Sequence, residues 1–384
     1  MNGPGMKRIA IFLDGTWNTS DDNTNVWRLK SLCDPGASDQ LVYYSKGVGT
    51  SFGETLRGGV EGYGIDQEII DAYSWLTEFF EPGDEIFIFG FSRGAYTARS
   101  LSGLIAKCGV LSPGAPLSIE QLYARYKRYS KRTIFELIHG QQPIDLEERW
   151  IVKYCEPTNI KMVGVWDTVG SLGSPFTSLR SKVSKYLFLD THLRLQNEFA
   201  FHALAIDEQR KSFEPTLWTR TIDKGDKASA ATSRSLSNVE QRWFVGAHAN
   251  VGGGYASDLL AQPPLQWLMG KAAGLGLKLR NTFVADEQLP DAPVADSYRD
   301  FAHGIARFFI PRFHRPIGSA PDQGSARITE RINETIDGSV FERWRGNPNY
   351  RPPNLLDWAE RRGVDPATLV GTRLASDASV TVGR

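Results

Sequence analysis

The sequence predicts an α/β fold: a doubly wound, mainly parallel sheet with helices on both faces. Two observations predict it. Several short apolar runs carry almost no alternation of polar and apolar residues, and the segments between them repeat apolar residues at helical spacing. A strand buried on both faces needs apolar side chains at successive positions, so an unalternating run closed by Gly or Asp reads as a strand of a helix-covered parallel sheet. Strand–helix alternation then leads to the doubly wound architecture.

In chain order, Arg8–Leu13 and Leu41–Ser45 are the first such runs. Gly64–Phe80 follows as a helix, with Ile65, Ile69, Tyr73, Leu76 and Phe80 on one stripe and Pro82-Gly83-Asp84 as its stop. Glu85–Phe91 is the next strand. Ser118-Ile-Glu-Gln121 has the form of a capping box and opens a helix through about Arg132. Lys161–Trp166 is a strand, Gln196–Glu208 reads as a helix, and Arg242–Gly246 is a further strand. Three stretches break the rhythm. Ser171–Thr191 is Ser-rich and basic, Asp223–Asn238 is polar, and Phe301–Ile317 mixes Phe with Arg and His. The tail after Val364 is weakly patterned and is expected to fray.

Composition narrows the function classes. The chain has 384 residues, 41% hydrophobic and 23% charged, with 44 Lys+Arg against 44 Asp+Glu. That apolar content supports a packed core and excludes disorder. A balanced charge gives no drive toward phosphate backbones and argues against nucleic-acid binding. No apolar run approaches the roughly 18 residues of a spanning helix. Cys33, Cys108 and Cys155 are too few and too scattered for a disulfide framework or a zinc site. The opening MNGPGMKRIAIFLDG has a basic pair before an apolar run, but the run stops at Asp14, too early for a signal peptide. The expectation is a cytoplasmic protein in the producing cell, with any export independent of a signal peptide.

The sharpest local signal is Gly90-Phe91-Ser92-Arg93-Gly94. A strand feeds directly into it and a helix with small residues (Gly94, Ala95, Ala98) leaves it. This is the strand–turn–helix setting that displays a serine nucleophile on a tight turn, and the turn leaves no room for side chains at 90 and 94. The Arg93 N–H then lies near a developing oxyanion. A serine needs a base. Of the six histidines, His248 ends the run Trp243–Ala247 and precedes the Gly-rich Gly252-Gly253-Gly254, where a base stands at the carboxyl edge of a sheet. His202 falls in FHALAIDEQR, where a packing or capping role is expected. Asp167 closes Met162–Trp166 and is the candidate acid, within reach of a histidine on the next strand; Asp207 and Asp258 compete, with Asp207 expected in a helix-end network with Glu208 and Arg210.

After the first strand, Gly15 and Thr16 are placed to supply a second oxyanion donor, with Asp14 holding that loop through its N–H groups. An aspartyl phosphatase would need a second Asp two residues before Asp14, where Phe12 stands. A metal-assisted hydrolase using Asp14, Asp167 and His248 is a competing reading, although their spacing carries no metal-ligand signature. A non-catalytic binding module on the same scaffold is another. No cofactor or metal is expected.

At these residues the chain resembles an α/β-hydrolase domain family shared with type VI secretion phospholipase effectors of the Tle class. The resemblance rests on FLDGTWN (Phe12–Asn18), TNVWRL (Thr24–Leu29), GFSRGAYTAR (Gly90–Arg99), VGVWDTVGSLG (Val163–Gly173), FHALAIDEQR (Phe201–Arg210), FVGAHANVGGGY (Phe244–Tyr255), SVFERW (Ser339–Trp344) and YRPPNL (Tyr350–Leu355). It covers about residues 7–355 and implies a Ser92–Asp167–His248 triad with lipase, phospholipase or carboxylesterase activity on an ester or phospholipid. Asn250 stands where the family pattern has an acid. One catalytic domain over 1–384 is expected, with a lid at 171–191 and a C-terminal extension at 356–384. Phe308, Phe309 and Phe313, with Arg307, Arg312 and Arg315, form a candidate site of peripheral membrane contact; the simpler reading, which is preferred, has the aromatics filling a satellite core while the arginines snorkel or pair with acids.

Overall fold

The structure, a computed structural model, describes residues 5–15, 23–47, 60–128, 130–140, 142, 144–169, 196–223, 236–255, 259–281, 292–300, 311–318 and 327–375. Its strands are β1 (Arg8–Leu13), β2 (Gln40–Ser45), β3 (Glu85–Phe91), β4 (Val110–Leu111), β5 (Cys155–Glu156), β6 (Ile160–Trp166), β7 (Asn197–Ala205), β8 (Thr219–Asp223), β9 (Val239–Phe244), β10 (Arg327–Arg331), β11 (Glu334–Ile336) and β12 (Arg373–Leu374). Its helices are α1 (Asn25–Leu32), α2 (Val60–Phe79), α3 (Ser92–Cys108), α4 (Ile119–Lys127), α5 (Ile134–His139), α6 (Leu146–Tyr154), α7 (His248–Gly252), α8 (Gln262–Gly274), α9 (Ser297–Asp300), α10 (Gly338–Gly346) and α11 (Pro353–Arg362).

Eight strands form one sheet in the order β12-β11-β9-β7-β6-β3-β1-β2. Every neighbouring pair is parallel except β11–β12 at the edge. The α/β class read from the sequence is therefore the class observed. Residues of β1 alternate between two helical layers. Ile9, Ile11 and Leu13 pack with Ile69 of α2 and Leu101 of α3. Ala10 and Phe12 pack with Leu29 of α1 and Leu268 of α8. A third cluster joins Trp243 and Ile336 to Phe341 and Trp358. Among the described residues no helix is long and apolar enough to cross a membrane.

The topology also fixes where a ligand fits. From β1 the chain steps to β2 at one edge, then returns to β3 and proceeds outward through β6, β7, β9 and β11. The direction switches between β1 and β3, and the crevice at such a switch lies beyond the strands' carboxyl ends. Ser92 follows β3 and Asp14 follows β1, so both stand at that crevice.

Three expectations need correction. Residues 196–208 are not helical: β7 occupies Asn197–Ala205, hydrogen-bonded to β6 and β9 on its two edges. Its inner positions are buried on both faces, and periodicity cannot separate such a run from a buried helix. The helix opened by the Ser118–Gln121 capping box ends at Lys127, and a second box, Thr133 with Glu136, starts the next helix. The tail does not fray as far as residue 375. β12 pairs with β11, and Trp358 Nε1 donates to the Ala375 carbonyl at 3.0 Å.

Candidate active site

Ser92 opens α3 directly after β3 with φ of 57°, a left-handed value that L side chains rarely adopt. The flanking glycines permit this turn. A Cβ on Gly90 would lie 2.4 Å from the Gly94 carbonyl oxygen, and one on Gly94 would lie 2.2 Å from that of Leu13. The elbow thus presses the start of α3 onto the end of β1. Asp167, directly after β6, also has positive φ, 39°. Backbone strain of this kind gathers where a fold must aim a side chain.

The two strained residues meet through His248. Its Nε2 lies 2.8 Å from Ser92 Oγ and its Nδ1 lies 2.6 Å from Asp167 Oδ2. An ionised carboxylate only accepts, so the proton between His248 and Asp167 belongs on Nδ1, and Nε2 is left to accept from the serine hydroxyl. His248 is buried, and its imidazole packs against Phe91 and Phe213, with ring centroids 4.7 and 4.9 Å away. Burial holds the His248 pKa below its ordinary value, against the raising effect of Asp167. Asp167 is fully buried, which favours its neutral form, yet the charge of Arg315 and the contact with His248 hold its carboxyl well below the usual range.

Asp167 and His248 do not follow adjacent strands, because β7 lies between β6 and β9. The intervening strand contributes instead: the Ala205 N–H at its end donates to Asp167 Oδ1 at 3.0 Å. His202, on β7, is fully buried and accepts from the Thr168 N–H at 3.0 Å. It holds the backbone after Asp167, the packing role expected of it. Asp207 accepts from the Gly246 N–H at 2.7 Å and from Tyr350 Oη at 3.0 Å, so it braces the approach to His248 rather than joining Glu208. Glu208 does pair with Arg210, through two bonds of 2.8 Å, and also accepts from the His248 N–H at 3.2 Å. Asn250 Oδ1 accepts from the N–H groups of Ala247 and Ala295, at 3.1 and 3.0 Å. Its amide thus secures the loop before α7.

Asp14 accepts at Oδ2 from Thr24 Oγ1 at 2.5 Å and Tyr44 Oη at 3.0 Å, and at Oδ1 from the Gly15 N–H at 2.8 Å. It holds the loop after β1 as expected, and in doing so it engages the Gly15 N–H. Thr16 lies outside the described residues, as do Asp258, the expected lid at 171–191, and Arg307, Phe308 and Phe309. Arg93 is the second residue of α3, directly after Ser92. Among the described residues, no group of three His, Cys, Asp or Glu side chains is placed to hold a metal ion. The oxygens of Asp14 and Asp167 are instead taken up by N–H and O–H donors.

At Arg315 the structure bears out the reading in which the arginines of the Phe301–Ile317 stretch pair with acids, not the lipid-facing one. The Arg315 side chain is fully buried and forms two hydrogen bonds to Asp167, at 2.7 and 2.9 Å. Nothing near Arg315 in sequence marks it for this. The only pointer is that a buried acid requires a counter-charge.

The family model described as the type VI secretion system phospholipase effector Tle1-like catalytic domain matches residues 7–271, more than half of the chain. An uncharacterized protein of Saccharomyces cerevisiae is 28% identical over 239 residues, which are 56% of this chain and 33% of that protein. The chain therefore spans about a third of the length of the curated relative it matches. A crystal structure of an uncharacterized protein from Pseudomonas aeruginosa is 18% identical, with a TM-score of 0.46 over 76% of this chain and 49% of the other. The structure of the Tle1 effector bound to the VgrG spike is also 18% identical, with a TM-score of 0.33 over 65% of this chain and 51% of the other.

Proposed function

The chain belongs to the Tle1-like phospholipase effector catalytic-domain family, and from that membership we propose that it is a serine hydrolase cleaving the carboxylic esters of lipids. The observation that carries the proposal is the hydrogen-bonded row of Ser92 Oγ, His248 and Asp167, at 2.8 and 2.6 Å.

In this reading Ser92 Oγ attacks the ester carbonyl carbon while His248 Nε2 takes the hydroxyl proton. The tetrahedral intermediate collapses, the carbon–oxygen bond to the alcohol breaks, and His248 returns the proton to the departing oxygen. Water then attacks the acyl-enzyme with His248 again as base, which releases the fatty acid and restores Ser92. Asp167 orients His248 and stabilises the imidazolium that forms. The Arg93 N–H is one oxyanion donor. The loop after β1 supplies the other; since Asp14 engages the Gly15 N–H, Thr16 is the candidate there. Loss of one such donor raises the barrier by about 3 kcal/mol.

Fluorophosphonate labelling tests this. The protein should take up the probe, and Ser92→Ala should not. A folded wild type that stays unlabelled sinks the serine mechanism. Release of fatty acid from phospholipid vesicles by the wild type, absent in Ser92→Ala, then tests the lipid assignment; activity on soluble short-chain esters alone would count against it.

A further inference from the structure

We infer that Arg315 is a positioning residue: its guanidinium fixes the Asp167 carboxylate, offsets its charge, and so sets the basicity of His248. The inference rests on the serine-hydrolase reading above. Arg315 donates through Nη1 to Asp167 Oδ1 at 2.7 Å and through Nη2 to Oδ2 at 2.9 Å. This is the fork-on-carboxylate pairing that only arginine makes, and it fixes orientation as well as charge. The guanidinium also donates to the carbonyl oxygens of Ala205, at 2.8 Å, and of Phe213. Asn354 Nδ2 in turn donates to the Arg315 carbonyl at 3.1 Å.

Arg315 lies beyond residue 271, where the family match ends. The matched region supplies serine, histidine and aspartate but not the counter-charge of the aspartate. Without one, a carboxylate at 0% exposure has only the neighbouring imidazole to compensate its charge, which favours a proton held on that ring.

The charges around His248 show what Arg315 contributes. Asp167 faces its Nδ1, Glu208 accepts from its N–H, and Arg210 pairs with Glu208 and acts on the imidazole from the same side. Two carboxylates are thus matched by two guanidiniums. Removing Arg315 leaves one carboxylate uncompensated beside the ring, which raises the affinity of His248 for a proton.

The experiment is the rate of fluorophosphonate labelling of the full chain as a function of pH. Labelling should fall as pH drops and His248 protonates. In Arg315→Gln the midpoint of this acid limb should rise by about half a unit or more, with labelling at pH 7 slowed about tenfold. An unmoved midpoint overturns the inference, whatever the rate, because loss of packing alone would not change the proton affinity of His248. Should Arg315→Gln fail to fold, Arg315→Lys decides. Slower labelling at the wild-type midpoint supports the inference, since charge remains and the fork is lost; any other combination overturns it. Wild type that takes up no probe defeats the serine reading itself, whereas Ser92-dependent labelling with an unmoved Arg315→Gln midpoint defeats only this inference.

Discussion

Gly94, in the first turn of α3, lies so close to the end of β1 that a Cβ on it would stand 2.2 Å from the Leu13 carbonyl oxygen and 2.4 Å from that of Asp14. Those atoms are backbone and cannot swing aside. In an ordinary helix, Gly→Ala stabilises by about 1 kcal/mol. Here the sign should reverse, with Gly94→Ala costing about 3 kcal/mol by overpacking and displacing the loop that carries Asp14. Urea unfolding reads the sign directly; a more stable Gly94→Ala protein would show that the elbow is not held against β1.

Glu68 of α2 accepts from Ser45 Oγ at 2.8 Å and Thr97 Oγ1 at 3.1 Å. Burial pushes its carboxyl up to about 7, the two hydroxyls oppose that shift, and the charge of Asp14 adds to it. A pKa raised on folding means that the contribution of Glu68 is complete below about 4.5 and is lost as pH rises through about 7. Glu68→Gln should therefore gain about 3 kcal/mol over wild type at pH 8 and about 1 kcal/mol at pH 5. Urea midpoints at the two pH values test this. An equal difference at both would mean that Glu68 does not titrate in that window.

The elbow was legible because its constraint is local. The Gly90–Gly94 spacing, the strand before it and the small residues after it all lie within one stretch of chain. His248 and Asp167 were legible for a similar reason, each ending an apolar run at the carboxyl edge of the sheet. β7 was misread because a central strand buried on both faces loses the alternation that identifies strands, and FHALAIDEQR happens to repeat at helical spacing. That an arginine of the Phe301–Ile317 stretch pairs with an acid was legible, but which arginine and which acid was not, because the partner of Arg315 lies 148 residues away. Its own neighbours, Arg312, Phe313 and His314, look like a surface patch, and nothing local separates the buried arginine from exposed ones.

The bonds of Asn250 explain why an amide serves the loop before α7. Its Oδ1 holds the N–H groups of Ala247 and Ala295 inside a buried loop. Removing that oxygen strands two donors away from water, so Asn250→Ala should lose about 3 kcal/mol. Asn250→Asp keeps an acceptor in the same place and should stay within about 1 kcal/mol of wild type at pH 7. If thermal unfolding finds the two variants equally unstable, the role assigned to the Oδ1 acceptor is wrong.

The pH dependence of labelling follows from the burial of His248. As a base it must be neutral to take the serine proton, so labelling is complete above its pKa and lost as pH falls through it. Burial lowers that pKa, and the contact with Asp167 only partly restores it. The acid limb of wild-type labelling should accordingly have its midpoint below the ordinary histidine value of 6.5. Phe91 and Phe213 keep water from the ring, so replacing Phe213 with Ser should admit solvent and move the midpoint up toward that value. A wild-type midpoint above 6.5 would mean that the Asp167 charge outweighs burial at His248, and a Phe213→Ser midpoint equal to that of wild type would show that the aromatic contact does not set the balance.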